Sequence, residues 1–345
     1  MKAALLAQVE ELGIVDLPVP APGHGEALVR VKMAGVCGTD LHVYHGHHRT
    51  ARLPVVLGHE FAGELVEING ECRAPLHAGS DVLVQPYYAC GSCGPCVQGR
   101  DNVCSRLSIL GVHRNGCFAE YVVVPLRKVY PKPANISLQL STLAEPLAVA
   151  VHDVRMSGLQ VGQTAFVIGG GPIGVLIALV ARLSGAAKVV ISEVNPYRIR
   201  LAQEMGFTVI NPRETDIIRE ALLEPGGCGY DVVYEVSGTR QGAEIMTQLA
   251  KIAGTIVIVG VPTEKYPIDT GGILAKELRI VGVRIHAQLN FMDSLAILES
   301  GVLNADLAKF IDKVFCLEAI EDAFRYSIED QEHFKVLVSM PELRH

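Results

Sequence analysis

The sequence lacks an excess of positive charge. Its 345 residues include 30 Lys and Arg against 37 Asp and Glu, which gives a formal net charge of -7. Proteins bind nucleic acids and anionic membranes through clustered basic residues, so this balance argues against both partners. Hydrophobic residues make up 49% of the chain, which is ample apolar sequence for the cores of two domains of ordinary size.

Long uninterrupted apolar runs are also missing. Residues 1–16 contain one Lys and a short apolar run broken by Gln8 and Glu10, without the extended apolar region and cleavage site of a signal peptide. An uncharged run at residues 163–181 is interrupted by a glycine-rich turn, where a membrane-spanning helix would be continuous. We therefore expect a cytoplasmic protein without a membrane segment.

A disulfide framework is not expected, because the nine cysteines are an odd number and a reducing compartment disfavours disulfides. Four of them lie in the segment YACGSCGPCVQGRDNVC, at Cys90, Cys93, Cys96 and Cys104. Four thiolates at these intervals can close a tetrahedral shell around zinc, which leaves no open position for a substrate. We predict a structural zinc site here, rather than a redox pair or a disulfide.

The pattern of the chain changes near residue 150. Before it, short apolar runs alternate with Gly and Pro turns, which is typical of antiparallel strands. After a helix predicted at residues 143–157, strands are predicted at residues 164–168, 188–192, 208–211, 231–234, 255–259 and 278–283, with helices such as 174–184, 196–205 and 242–252 between them. Such alternation builds a parallel sheet covered on both faces, an α/β fold. The last sixty residues, with helices at 292–300 and 318–326 and a strand at 335–339, are expected to fold back onto the first module.

A glycine-rich turn lies between the first of these strands and its helix. VIGGGPIG places Gly169, Gly171 and Gly174 in a G-x-G-x-x-G pattern, with Pro172 and Ile173 inside it. Glycine allows close backbone approach, and the helix N-terminus offers free amide groups to a pyrophosphate. The strand–turn–helix context makes this a dinucleotide site rather than a packing turn.

Glu193 follows the next strand, nineteen residues after Gly174. A carboxylate there accepts the ribose hydroxyls and repels a 2'-phosphate, which favours NAD over NADP. Arg198 favours NADP instead, since an arginine near the ribose can bind the 2'-phosphate. We also assign Val259, Val261 and Val283, which follow later strands, to the cofactor site.

Three separated stretches carry further metal-ligand side chains. They are CGTDLH with Cys37, GHEFAG with His59, and EPL with Glu145. A thiolate, an imidazole and a carboxylate suit Zn²⁺, and three protein ligands leave the open position that catalytic zinc requires. A single cysteine, histidine or glutamate more often has a structural role than a metal-binding one. The prediction therefore depends on the three residues taken together.

Together these segments resemble the zinc-containing medium-chain dehydrogenase/reductase (alcohol dehydrogenase) family, specifically its sorbitol (polyol) and threonine dehydrogenase branch. CGTDLH, GHEFAG, the four-cysteine loop, GCFAEY, EPL and GGGPIG occur in the family's order. The resemblance implies a GroES-like β-rich catalytic domain over residues 1–152, a Rossmann NAD-binding domain over 153–285, and a C-terminal segment 286–345 that returns to the catalytic domain. It also implies an active site between the domains and a homo-oligomer, dimer or tetramer.

The resemblance assigns roles to individual residues. Cys37, His59 and Glu145 would hold the catalytic zinc, with Glu60 as an alternate ligand, so that each chain carries two zinc ions and NAD. Zinc would lower the pKa of a substrate hydroxyl, and the alkoxide would transfer hydride to the nicotinamide. Thr39 would take the hydroxyl proton and pass it through the cofactor ribose toward His42.

The substrate side departs from both branches. Threonine dehydrogenases carry a tryptophan segment after the last Rossmann strand, whereas this sequence has no tryptophan and reads GVRIHAQLNF there. Polyol enzymes often have an aromatic residue where Val43 stands. We expect a secondary alcohol of a polyol, sugar acid or related polar metabolite as the substrate. The alternatives are L-threonine 3-dehydrogenase and, from another class, a non-catalytic nucleotide-binding zinc protein.

Three histidines follow the CGTDLH segment, at His45, His47 and His48. Their spacing matches neither a helical pair of ligands nor a zinc finger. We interpret them as substrate-loop or solvated residues rather than metal ligands.

Overall fold

A computed structural model describes residues 1–72, 76–223, 227–262, 264–330 and 332–341. It contains two compact units: Met1–Glu145 with Ala287–His345, and Pro146–His286. The first division lies inside a helix, a few residues before the predicted boundary at residue 152. Among the described residues, no helix combines the length and the apolar character that a membrane span needs.

The first unit is built mainly from short antiparallel strands. Its elements before the division are β1 (Lys2–Gln8), β2 (Glu11–Asp16), β3 (Glu26–Gly35), α1 (Gly38–Tyr44), β4 (Val55–Val56), β5 (Glu60–Asn69), β6 (Asp81–Val84), β7 (Tyr87–Tyr88), α2 (Gly94–Val97), β8 (Ser108–Ile109), β9 (Tyr121–Pro125), β10 (Val129–Pro131), α3 (Leu138–Ser141) and α4 (Ala144–Ser157). The last of these continues into the second unit.

The second unit is a parallel sheet with helical crossovers. Its elements are β11 (Thr164–Ile168), α5 (Pro172–Leu183), β12 (Lys188–Ser192), α6 (Pro196–Glu204), β13 (Thr208–Ile210), α7 (Ile217–Leu222), β14 (Tyr230–Glu235), α8 (Arg240–Leu249), β15 (Ala250–Ile258), α9 (Thr270–Lys276) and β16 (Arg279–Gly282). All its strand pairs are parallel, in the order β13-β12-β11-β14-β15-β16. This is the doubly wound order of dinucleotide-binding domains, and it confirms the predicted α/β fold class.

The C-terminal segment completes the first unit. Its elements are α10 (Gln288–Ser300), α11 (Asn304–Ala308), β17 (Ile311–Cys316), α12 (Ile320–Glu329) and β18 (Lys335–Ser339). β18 pairs antiparallel with β3, and its other edge pairs with β17. The seven-stranded sheet therefore runs β10-β6-β5-β3-β18-β17, with β9 also on β3. This pairing brings the last strand of the protein beside the end of β3, from which α1 begins.

Burial explains why each unit folds as it does. The core of the first unit joins alternate side chains of the strands to α12, including Val31, Phe118, Phe324 and Val338. In the second unit, β11 carries four consecutive buried residues, which is expected of a parallel strand covered on both faces. The two helix starts that matter for the site, α1 and α5, lie directly after strands of these sheets.

The predicted helix over residues 242–252 is wrong at its end. The helix α8 stops at Leu249, and residues 250–252 belong to β15. The ammonium of Lys276 donates to the carbonyl oxygens of Thr247, Gln248 and Ala250 at 2.9, 3.0 and 2.7 Å. A distant lysine thus satisfies the last carbonyl groups of the helix. No local pattern announces this stop.

Two predicted helix starts also differ. The helix α10 begins at Gln288 rather than at residue 292, because the Asn290 side chain accepts from the Ala287 amide and caps the first turn. The helix α12 begins at Ile320 rather than at residue 318, after a 3₁₀ turn over Leu317–Ala319. The strand predicted at residues 255–259 begins five residues earlier, because β15 spans Ala250–Ile258. The other five predicted strands of the second unit agree with the structure to within one residue.

Candidate functional site

The four cysteines predicted to hold a structural zinc lie together in the first unit. Cys93 caps the short helix α2, Cys96 lies within it, and Cys104 follows a 3₁₀ turn. The Sγ atoms are 3.9 Å apart for Cys90 and Cys96, and 3.8 Å for Cys93 and Cys104. Four sulfurs at the usual distance of about 2.3 Å from zinc are about 3.8 Å from one another. These separations fit a Zn²⁺ tetrahedron and are far longer than a disulfide bond.

Backbone amides converge on the same sulfurs. The amide of Cys93 donates to Cys90 Sγ, and those of Cys90 and Arg106 donate to Cys104 Sγ, each at 3.3 Å. Hydrogen bonds from the amides of Ser92 and Cys93 lower the pKa of the Cys90 thiol to about 5. Burial raises the pKa of Cys96 to about 12. The four-cysteine loop therefore stabilises the thiolate form of some of its cysteines. A divalent metal cation is needed to keep all four deprotonated.

A second group lies where α1 and β5 begin. Cys37 is the N-cap of α1, and Glu60 is the first residue of β5, with His59 just before it. One ligand atom from each of the three lies within 4.8 Å of the others. β3 and β5 pair in register at Gly35 and Glu60, which brings the two chain segments together. Among the described residues, this group and the four cysteines are the sets of three or more that could hold a metal.

Asp40 ties this group together. Its carboxylate accepts from the backbone amides of Cys37 at 2.9 Å and Gly58 at 3.0 Å. Its Oδ1 also lies 3.4 Å from His59 Nδ1, a buried ring atom that makes no hydrogen bond of good geometry within the described part of the chain. A carboxylate behind one ring nitrogen orients the other toward a metal. Burial alone would lower the pKa of His59, but Asp40 and Cys37 raise it overall, so the surroundings favour a cation at this ring.

Glu145, the predicted third ligand, lies next to this group without being part of it, and the alternate ligand Glu60 takes its place in the set. Glu145 lies near the start of α4, is 7% exposed, and is close enough to raise the pKa of Glu60. It is not within 4.8 Å of Cys37, His59 and Glu60 as a set. The structure therefore brings Cys37, His59 and Glu60 together directly, with Glu145 adjacent. A thiolate, an imidazole and either carboxylate form a donor set that fits Zn²⁺.

A buried lysine balances the charge of these groups. Lys335 Nζ donates to Glu60 Oε2 at 2.5 Å and to the Val36 carbonyl at 3.2 Å. Burial alone would lower the pKa of Lys335, but Glu60 and Cys37 raise it. A Cβ at Gly35 would lie 2.6 Å from the same Glu60 oxygen, so a larger residue there would displace the Glu60 carboxylate from its position beside Lys335.

The two residues of the predicted proton relay lie on α1. Thr39 is in the first turn, two residues after Cys37, and His42 is in the last turn. His42 is half-buried. Burial lowers the pKa of its ring, and the nearby His47 and His45 lower it further. The ring is therefore neutral near pH 7 and able to accept a proton.

The glycine turn of the second unit has the shape that a pyrophosphate needs. Gly171 is the N-cap of α5 and Pro172 its first residue, so the free amides of a twelve-residue helix face the turn. A Cβ on Gly174 would collide with the carbonyl oxygen of Gly169. Gly169 itself has φ of +102°, a conformation that favours glycine. The close approach of helix and turn thus depends on these residues.

Glu193 lies beside this turn. Its carboxylate accepts from the amides of Gly170 at 2.9 Å, Val194 at 2.6 Å and Asn195 at 2.9 Å. The guanidinium of Arg198 lies 3.7 Å from where a Cβ of Gly171 would be, and its Nε is buried without a hydrogen-bond partner among the described residues. A carboxylate and a guanidinium therefore both face the nucleotide turn.

The three predicted valines lie on the same edge of the sheet. Val259 and Val283 directly follow β15 and β16, and Val261 is in the loop after β15 with its side chain 71% exposed. Because all six strands are parallel, their carboxyl ends share this edge with Gly169 and Glu193. Ligands bind at this edge in open α/β sheets.

Two residues of the metal group were missed from the sequence. Asp40 lies inside CGTDLH, and its position three residues after a helix N-cap is a capping signal that could have drawn attention to it. Lys335 carries no such signal. Its role follows only from the pairing of β18 with β3.

Two family profiles match the chain. The profile described as Alcohol dehydrogenase GroES-like domain matches residues 23–134, and that described as Zinc-binding dehydrogenase matches residues 172–300. The first covers the two groups of metal ligands except Glu145, and the second begins at the N-terminus of α5.

Several known proteins are similar over most of the chain. A 2-dehydro-3-deoxy-L-galactonate 5-dehydrogenase of Pseudoalteromonas atlantica is 36% identical over 339 residues, 98% of each chain. An L-threonine 3-dehydrogenase of Pyrococcus furiosus is 37% identical over 299 residues, 85% of each chain. The structure of a zinc-binding dehydrogenase from Sinorhizobium meliloti, bound to NADP, has a TM-score of 0.88 at 34% identity and covers 98% of both chains.

Proposed function

The chain belongs to the zinc-dependent alcohol dehydrogenase family, and we propose that it transfers hydride between a secondary alcohol of a polyol, sugar acid or related polar metabolite and NAD. One observation carries this proposal. Cys37, His59 and a carboxylate meet beside α1, held by Asp40, in a chain that also has the nucleotide turn. A zinc ion enclosed by the four cysteines would explain neither the group around Cys37 and His59 nor the glycine-rich turn.

The chain's residues have separate tasks in this reaction. Cys37 and His59 would hold the catalytic zinc with Glu145, and Glu60 is the alternate ligand. A zinc ion bound here supplies Lewis acidity that lowers the pKa of an alcohol hydroxyl. Asp40 orients the His59 ring through its Nδ1 side. Lys335 pairs with Glu60 and holds its carboxylate in a buried position. Either Glu145 or Glu60 could then serve as the third zinc ligand.

Proton removal is assigned to α1. The Thr39 hydroxyl can accept the proton of the substrate hydroxyl and donate its own, because one hydroxyl group both donates and accepts. The neutral His42 ring then exchanges the proton with solvent. Both side chains lie on α1, whose N-cap is the proposed ligand Cys37, so the helix fixes their positions relative to that ligand.

The choice of NAD follows from Glu193. A carboxylate at the end of β12, held by three backbone amides, disfavours a 2'-phosphate. Arg198 acts in the opposite direction, and the S. meliloti relative was solved with NADP. We propose that the fixed carboxylate dominates because it is buried beside the turn, at 7% exposure.

L-Threonine 3-dehydrogenase is the second candidate, since relatives such as that of P. furiosus carry this activity. The absence of tryptophan from residues 282–291 favours a sugar acid or polyol instead. The purified chain should be assayed for nicotinamide reduction with aldonates, 2-dehydro-3-deoxy-aldonates, polyols and L-threonine, each with NAD and NADP.

The expected result is turnover with a hydroxylated acid or polyol and little with threonine. Cys37→Ser is the control that removes a metal ligand from the same preparation. Preferred oxidation of threonine would replace the proposed substrate class. Normal turnover by the Cys37 variant would contradict the assignment of the zinc site.

A further inference from the structure

A row of ionisable side chains runs outward from His42. The ring centres of His42 and His47 are 6.3 Å apart, and those of His47 and His45 are 5.8 Å apart. His45 Nδ1 lies 2.8 Å from Glu10 Oε1. His42 is half-buried, His47 is exposed, and the Glu10 side chain is 59% exposed. The row thus connects the end of α1 with the surface of the first unit.

Backbone hydrogen bonds hold these residues in place. The Glu10 amide donates to the Tyr44 carbonyl at 2.9 Å, which fixes the β1–β2 turn against the end of α1. The His47 amide donates to the carbonyl of His42 at 2.8 Å, and the His45 amide donates to Leu41 at 3.0 Å. Glu10 adopts φ of +63°, an uncommon conformation for a residue other than glycine. Its carboxylate meets His45 because the turn is held in this conformation.

We propose that His42, His47, His45 and Glu10 form a proton wire, which carries the proton released by the alcohol from α1 to bulk water. The wire rests on the proposed function, because it begins where that reaction delivers its proton. It extends the reaction by three residues that have no other task in it.

Each transfer conserves atoms and charge. A neutral imidazole accepts a proton on one ring nitrogen and releases one from the other, so that one N–H bond forms as another breaks. The ring separations leave room for a bridging water between neighbours. His45 passes its Nδ1 proton to the Glu10 carboxylate or to the water beside it. One proton enters the row at His42 and one leaves it at Glu10. No residue of the row is oxidised or reduced.

The electrostatics suit the passage of a single proton. Among the described residues, the titratable groups in ring or hydrogen-bond contact with His42 and His45 are His47 and, from the β1–β2 turn, Glu10, with the Tyr44 ring 5.0 Å from His45. Because the three rings are close, a proton on one disfavours a second proton on its neighbour. Burial and the two other histidines lower the pKa of His42, so a proton on the inner ring is readily released.

A metal site does not account for this row. Among the residues described by the structure, the sets able to hold a metal are the four cysteines and Cys37, His59 and Glu60. The row is therefore spaced for proton transfer through water and not for direct coordination.

The test compares His47→Gln, His45→Gln and Glu10→Gln with His77→Gln, a control histidine in an exposed turn of the same unit. At pH 7 and low buffer concentration, kcat of His47→Gln should fall about tenfold, less than the hundredfold or more expected for loss of a general base, because water still reaches His42. A high concentration of a small base such as imidazole should restore the rate. His77→Gln should behave like the wild type.

A second readout needs no turnover. In the full chain labelled with ¹⁵N-histidine, the titration midpoint of His42 should lie below 6.5 and rise in His47→Gln, and the His45 Nδ1 signal should change in Glu10→Gln. Wild-type rates in His47→Gln and His45→Gln at low buffer, or losses that high buffer does not restore, would overturn the wire. If no alcohol reduces the cofactor, the proposed function fails by itself. An unchanged His42 midpoint in His47→Gln would then refute the coupling of the rings independently.

Discussion

The ammonium of Lys335 lies 2.5 Å from the carboxylate of Glu60, and the two side chains are 4% and 1% exposed. The pair joins β18 to the first residue of β5, across 275 positions of sequence. Cys37 follows the end of β3 by two residues, and His59 directly precedes β5. The charge balance of the candidate catalytic site therefore depends on the last strand of the protein.

Replacement of Lys335 should destabilise the first unit. Lys335→Met leaves the Glu60 charge buried without its partner, which typically costs about 3–5 kcal/mol of folding free energy. The double variant with Glu60→Gln should recover part of this loss, because the remaining group is neutral. Thermal and denaturant unfolding of the zinc-loaded chain measure both effects. Equal destabilisation of the single and double variants would show that the ion pair is not the cause.

Asp40 should control metal affinity without being a ligand. Asp40→Asn weakens the hold on the His59 ring and the Cys37 amide, and such outer contacts are worth about 10–100-fold in affinity or activity. Competition with a chelator should show weaker binding of one zinc and unchanged binding of the other. Asp81→Asn is the matched control, since Asp81 pairs with Lys32 on the surface of the same unit. Unaltered affinity in Asp40→Asn would refute this role.

Metal content should separate the two sites. We expect elemental analysis to find two zinc ions per wild-type chain, and one in Cys104→Ser or Cys37→Ser. Cys104→Ser should lower the unfolding temperature because the four-cysteine loop then lacks one of the four thiolates that hold its zinc. Cys37→Ser should abolish turnover while nucleotide binding persists. Cys316→Ser, at an exposed free cysteine, should keep both metals. Loss of both zinc ions from each single variant would argue against two independent sites.

The pH dependence of turnover should report His42. Its pKa lies below the usual 6.5, mainly because of burial, so the neutral, proton-accepting ring persists as the pH falls through 6.5. The acid limb of kcat should therefore lie below pH 6.5. His42→Gln should lose about a hundredfold at pH 7, and less at high pH, where hydroxide can take the proton. A variant whose loss is the same at every pH would exclude His42 from proton transfer.

Glu193 should set the preference for the cofactor. Repulsion between like charges costs on the order of a few kcal/mol, so Glu193→Gln should reduce the ratio of NAD to NADP efficiency by about tenfold or more. Arg198→Ala should lower the rate with NADP more than the rate with NAD. Steady-state kinetics with both cofactors decide the matter. A wild-type preference for NADP would reverse the assignment.

Much of this protein could be predicted because its signals are local. The parallel sheet follows from strands and helices that alternate at regular intervals, and the order of β11 to β16 confirms it. The four cysteines of the loop lie within fifteen residues of sequence, so local chain geometry is enough to bring them together. The end of α8 could not be predicted in this way, since Lys276 determines it from another helix.

The sequence by itself determined the fold class, the glycine-rich turn before α5 and the four-cysteine loop, because short-range spacing and backbone requirements specify each of them. The candidate catalytic site is different. Cys37, His59 and Glu60 become neighbours only when β3 pairs with β5, and Lys335 joins them only when β18 pairs with β3. Tertiary structure alone decided which carboxylate joins the thiol and the imidazole within 4.8 Å and which cation balances it. Burial and long-range strand pairing place these charges, which no local pattern connects.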